Sequence, residues 1–168
     1  MEAQKQEGKL ANQSIWQSVN IITQADANLC WFACFQMIYF CQQGKGQATS
    51  LSDPANVALT ANMYANDQPM TSQQIPSVCG ALGFTWLQQS LDADGLANLL
   101  TAAPIMYLGI TALTANPGGH AVILNGISGV SLSVIDPWDG VNYWFPDYTV
   151  FVNQVLPQSA NSALIYPP

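Results

Sequence analysis

The chain has no arginine, three lysines and one histidine, against ten aspartates and glutamates. A protein that grips nucleic acid neutralises phosphates with Lys and Arg, and a formal charge of −7 leaves almost nothing to do it with. Nucleic acid and anionic membrane are therefore set aside as partners. Charge of either sign is scarce. Only 8% of the residues are charged, against roughly 25% in ordinary soluble domains, so the polar surface must be built from Gln, Asn, Ser and Thr. No apolar run of about 18 residues occurs, so no membrane span is expected. Residues 1–11 lack a basic n-region followed by an apolar h-region. On that reading the chain stays inside the cell, leaves it by a specialised secretion route, or is part of a longer protein.

Cysteines are few and poorly placed for bridges. Cys30, Cys34 and Cys41 share one short apolar segment, with Cys79 apart from them. Neighbours on one helix seldom meet bridge geometry, so no disulfide framework is expected. Three cysteines and a histidine raise the question of zinc. The paired knuckles of structural zinc sites, however, are absent beyond Cys30 and Cys34. No metal or other cofactor is expected.

What remains is ample for a core: 168 residues, 49% of them apolar, fit one compact domain. No internal repeat or low-complexity linker breaks it. Residues 1–20 read as a loose arm or a short strand. Residues 29–41, LCWFACFQMIYFC, are apolar on nearly every face, which predicts a buried helix through the middle of the domain. Asn28 or Asp26 can cap its start, and Gly44 and Gly46 end it. Ser52-Asp53-Pro54 predicts a second helix to about Asn66. The Thr71–Gln74 capping box predicts a third, ending near Gly80 or Gly83. Residues 84–89 read as a strand, and Ser90 or Asp92 opens a helix to about Ala102.

The second half is β-rich. Strands are predicted at 104–110, 120–127, 130–135, 142–145, 149–152 and 163–166, with a hairpin turn at Gly126 to Gly129. Helices first and an antiparallel sheet after them give an α+β fold.

Four residues carry candidate chemistry. Cys30 opens the buried helix, where free N–H groups and the helix dipole stabilise a thiolate. Taken alone it is equally well a small core residue. His120 is the only histidine, so any thiol–imidazole pair must use it. It follows Pro117-Gly118-Gly119 and leads into a strand; glycines there permit close approach of backbone or substrate. Asp136 ends the next strand and comes out at the same sheet edge as His120, where a carboxylate can orient an imidazole. On its own, Asp136-Pro137 would read as a turn. Gln24, six residues before Cys30, can donate its amide to the oxyanion of an attacked carbonyl, with the Cys30 N–H as second donor. Otherwise it is an ordinary loop residue.

Gln24, Cys30-Trp31 opening an apolar helix, Gly119-His120-Ala121-Val122 and Asp136-Pro137-Trp138-Asp139-Gly140, in that order, resemble the papain-like cysteine peptidase superfamily. The compact bacterial members, the bacteriocin-leader-processing and effector peptidases, are the most similar. The resemblance implies a papain-like fold, with the Cys-bearing helix packed on the sheet. It implies Cys30 as nucleophile, His120 as base and acid, Asp136 as orienter and Gln24 at the oxyanion. Trp31, Gly119 and Trp138 would line the substrate site, and a protein or peptide would be the substrate. By the same analogy the chain is a secreted bacterial effector or toxin domain, with an immunity or inhibitor protein as partner, or a leader-peptide processor. It departs from the larger papains in being shorter and lacking their disulfides, so specificity does not carry over. Two other readings use the same residues. One is acyl transfer by a glutamine deamidase or transglutaminase-like enzyme. The other is a binding module with a dead site.

Overall fold

The computed structural model describes residues 14–45, 50–88, 91–109, 119–155 and 163–168, with the backbone alone at 152–155. Residues 1–11, Gly46, Ser90, Pro117 and Gly118, singled out above, lie outside the described residues.

The apolar run becomes helix α1 (Cys30–Gly44), with Trp31, Phe32, Cys34, Phe35, Met37 and Ile38 all buried. The expected side-chain cap is not made. The helix starts on Leu29, whose carbonyl accepts the N–H groups of Phe32 and Ala33, both at 3.1 Å. The side chain of Asn28 is instead drawn to Asp67, and Asp26 offers its backbone carbonyl to the Leu29 N–H at 3.2 Å.

Helix α1 lies on a seven-stranded sheet. The strands are β1 (Ser14–Trp16), β2 (Thr85–Leu87), β3 (Ile105–Leu108), β4 (Ala121–Ser128), β5 (Ser131–Asp136), β6 (Val141–Phe145) and β7 (Ala163–Tyr166). They run in the order β2-β7-β3-β4-β5-β6, with β1 beside β4, and every pairing is antiparallel. The fold is α+β, as expected. With α1 on one face pack α2 (Ala58–Ala65) and α3 (Ile75–Leu82). The other face is covered by α4 (Ala93–Ala102) and α5 (Tyr148–Val155). A sheet covered on both faces explains the unbroken apolar run at the start of β4. Ala121 and Ile123 enter the core under α1, while Val122 and Leu124 enter the core under α4.

A bulge between Leu124 and Gly126 resets this alternation. Ile127, odd-numbered like Ile123, consequently faces the second core. Gly126 was read as part of the hairpin turn; it lies inside β4, and the turn is the two-residue loop Gly129-Val130 between the paired Ser128 and Ser131. A Cβ at Gly126 would sit 2.7 Å from the Trp16 ring. With glycine there and Ser133 in the same cross-strand row, Trp16 reaches Trp144 edge to face at 4.9 Å.

Three other expectations shift. Residues 149–152 are helical, within α5, and not a strand. Their β-branched residues suggested extension, but the Asp147 carboxylate accepts the Thr149 N–H at 2.6 Å, and Tyr148 and Phe151, three apart, both reach the second core. The second helix starts at Ala58 rather than at Ser52-Asp53-Pro54. Asp53 folds its own turn, accepting from the Ala55 N–H at 2.9 Å and the Asn56 amide at 3.1 Å. The capping box of α3 is half made: Gln74 Oε1 accepts the Thr71 N–H at 2.9 Å, and Pro76 fits in the first turn. Asp92 caps α4 through the Gly95 N–H at 2.8 Å. No helix among the described residues is long and apolar enough to cross a membrane.

Candidate active site

Sheet register brings His120 and Asp136 together. The Gly109 N–H donates to the His120 carbonyl at 2.9 Å, extending the β3–β4 ladder by one residue and fixing the histidine backbone just ahead of β4. Gly119 before it is half-buried with φ +88. Asp136 closes β5, paired with Val141. The hairpin turn sets both residues at one sheet edge, and His120 Nε2 lies 2.6 Å from Asp136 Oδ1. Both are buried, each 3% exposed, so the contact is poorly screened. The Trp138 N–H donates to the same carboxylate oxygen at 2.8 Å, fixing the carboxylate against the turn.

Cys30 lies close enough to the imidazole to raise its affinity for a proton, and with Nε2 committed to Asp136 the ring nitrogen left for it is Nδ1. Burial alone would pull the histidine down. The hydrogen bonds to Asp136 and Cys30, and the charge on both, overcome it and raise His120 from 6.5 to about 9. The other three cysteines have raised thiols. Burial, aided by the nearby charges of Cys30 and Asp136, pushes the Cys34 thiol well above its ordinary value. Burial likewise lifts Cys79 to about 12. Cys41 is raised by burial against the opposing charge of Lys45. A raised thiol is a poor nucleophile, so these three read as packing residues.

Gln24 reaches the same corner through its backbone: its N–H donates to the Pro137 carbonyl at 2.8 Å. Its side-chain Nε2 donates to the Asp26 carbonyl at 2.7 Å, while Oε1 is buried without a partner. The crossing is close. Gly140, with φ +70, has no room for a side chain, because a Cβ there would lie 2.9 Å from Thr23. Asp139 stands apart from the imidazole contact. It is held by the Tyr143 hydroxyl at 2.5 Å and the Val141 N–H at 2.9 Å, and the first of these is the main cause of its lowered carboxyl value.

The remaining sequence candidates separate. Trp138 is 54% exposed, its backbone tied to Asp136. Trp31 is 1% exposed. Its indole N–H donates to the Gln68 carbonyl at 3.0 Å, and its ring meets Phe32 and Phe35. In this position it braces the start of α1 from within the core and offers no face to a substrate.

The sequence model of the family described as "Papain-like cysteine protease AvrRpt2" matches residues 13–154. The chain belongs to that family. Its α+β fold and its class, a papain-like cysteine protease, are those of the AvrRpt2 family. No curated protein matches the sequence. Among solved structures, the chain is similar to one titled "The crystal structure of Ly7917". The TM-score is 0.46 and the identity 18%, over 92% of this chain and 57% of the other. The chain thus spans little more than half of that protein.

Sequence reading missed one side chain next to this protease site. Asp67, on the loop after α2, bonds Asn28, two residues before Cys30. Thirty-nine residues separate the partners, and no local pattern joins them.

Proposed function

We propose that the protein cleaves peptide bonds through a Cys30–His120–Asp136 triad, with Gln24 and the Cys30 N–H stabilising the oxyanion. The reading is carried by the buried imidazole that meets Asp136 at 2.6 Å through Nε2, with Cys30 near enough to raise its affinity for a proton. His120 takes the Cys30 proton on Nδ1, and the thiolate sulfur attacks the substrate carbonyl carbon. The oxygen that becomes negative is held by the Cys30 N–H and the free Nε2 hydrogen of Gln24. The imidazolium then passes its proton to the leaving nitrogen as the C–N bond breaks. A water, losing its proton to the same Nδ1, hydrolyses the thioester. Asp136 keeps the proton on Nε2 throughout and stays ionised.

Intact-mass thiol labelling, followed by digestion to locate the adduct, tests the assignment. A single fast adduct on Cys30, lost in Cys30→Ala and slowed in His120→Ala, is expected. Protein substrates should be cut by the wild type and untouched by Cys30→Ala. Turnover in a folded Cys30→Ala protein would sink the assignment. A substrate that gains mass without a chain break would move the same triad to side-chain deamidation.

A further inference from the structure

Asn28 is well suited to cap a helix, yet α1 begins with no side-chain cap. The cap position falls on Leu29, and the Asn28 amide is engaged by Asp67. Asn28 Nδ2 donates to Asp67 Oδ2 at 3.1 Å and to the Asp67 carbonyl at 3.2 Å, and the Asn28 N–H donates to Oδ1 at 3.3 Å. Next to this cluster the Trp31 indole is tied to the Gln68 carbonyl. The loop after α2 therefore grips the chain on both sides of Cys30. Asp67 makes these contacts from φ +46, the one non-glycine residue with positive φ among the described residues. That conformation is unfavourable for most residues with a Cβ and persists where surrounding contacts hold it. The loop backbone supplies such contacts: the Asp67 N–H donates to the Tyr64 carbonyl at 3.1 Å and the Gln68 N–H to the Met63 carbonyl at 2.9 Å.

A side-chain cap on α1 would place an oxygen on the first-turn N–H groups. Those are the groups that stabilise a thiolate at a helix start and an oxyanion above it. A cap would strengthen the helix and obstruct the chemistry. We propose that Asn28 and Asp67 are positioning residues for the peptidase reaction: Asp67 holds the Asn28 amide away from the start of α1 and so keeps the first-turn N–H groups open around Cys30. The proposal rests on the reading of Cys30 as nucleophile.

The test is the alkylation rate of Cys30 by iodoacetamide at pH 6, read by intact mass, in wild type, Asn28→Ala, Asp67→Gly, Asp67→Asn and the double variant Asn28→Ala/Asp67→Gly. Glycine accepts the positive φ, so Asp67→Gly removes the carboxylate without adding strain; Asn28 then keeps only the backbone carbonyl of residue 67 as partner and can turn its amide to cap. It should slow alkylation about 10-fold, the scale of a small misplacement at a reacting group. Asp67→Asn, which keeps an acceptor and tolerates the same φ, should stay within about two-fold of wild type. The double variant should recover the rate of Asn28→Ala, because the competing cap is gone. Recovery on removing a second residue is not the behaviour of a merely structural contact, whose losses would add. Alkylation of Asp67→Gly at the wild-type rate, or a double variant slower than either single one, overturns the proposal. A wild type without a fast Cys30 adduct overturns the nucleophile reading instead, and the positioning role with it.

Discussion

Alkylation and hydrolysis ask different things of Gln24, and the difference isolates its role. Alkylation needs a thiolate but forms no oxyanion; hydrolysis needs both. Gln24→Ala should therefore alkylate Cys30 at the wild-type rate while its kcat falls about 10²–10³-fold, the usual loss of one oxyanion donor. Equal losses in both assays would show that Gln24 acts only by bracing the turn through Pro137. His120 permits an equally direct measurement, because a single histidine gives one imidazole signal by NMR. Its titration should centre near 9. In Asp136→Ala the first upward pull is gone, burial is left opposing the charge, and the midpoint should move well down. A midpoint unmoved by that substitution would mean that the 2.6 Å contact does not hold the proton on the ring. The Cys30–His120–Asp136 pattern was legible from the sequence because few alternatives existed: one histidine, one cysteine at a helix start, and an aspartate where a hairpin returns. The orientation of Gln24 was not legible, since it depends on a carbonyl two residues away and on a turn more than a hundred residues on.

At the scale of elements, legibility followed the strength of periodicity. The continuous apolar run of α1 and the β4–β5 hairpin were plain from their residue types. Helix α5 was not. Tyr-Thr-Val-Phe-Val has the side chains of a strand, and only the cap at Asp147 and the packing of Phe151 turn it into a helix. That assigns the stability of α5 to tertiary contact rather than propensity. Phe151 is fully buried, edge to face with Tyr107 and Phe145, on the sheet face opposite α1. Phe151→Ala should cost about 3–5 kcal/mol in a denaturant titration, and the alkylation rate of Cys30 in the protein that remains folded should be unchanged. A loss below about 1 kcal/mol would mean that α5 is not a structural part of that core. The bulge at Gly126 was misread for a related reason. Asn-Gly is a strong turn signal, but here a tryptophan from β1 occupies the space above the glycine, so the strand runs on to Ser128.

The whole molecule joins two layers at its chemistry. Cys30 comes from the helical layer and His120 with Asp136 from the sheet, so the proton on His120 bears on global stability as well as on catalysis. His120 is raised from 6.5 unfolded to about 9 folded. The folded state therefore holds that proton more tightly, and the resulting stabilisation is complete below pH 6.5. It declines as pH rises and is lost through about pH 9. Over the lower part of this window little else titrates. The exposed carboxylates are already ionised and the lysines still protonated. The buried thiols Cys34 and Cys79 are also raised and destabilise in the same direction, but only above their unfolded value of about 8.5. A fall in Tm between pH 6.5 and 8 thus reports a net proton that His120 gains on folding beyond any it takes from Cys30. Linkage sets it at about 2 kcal/mol by pH 8, or roughly 4–8 °C for a chain of this length. His120→Gln should show a flat Tm over that interval and a decline only above it. A wild-type Tm that is equally flat from pH 6.5 to 8 would mean that His120 gains no net proton on folding, the outcome expected where its proton is the one Cys30 gives up in a preformed thiolate–imidazolium pair.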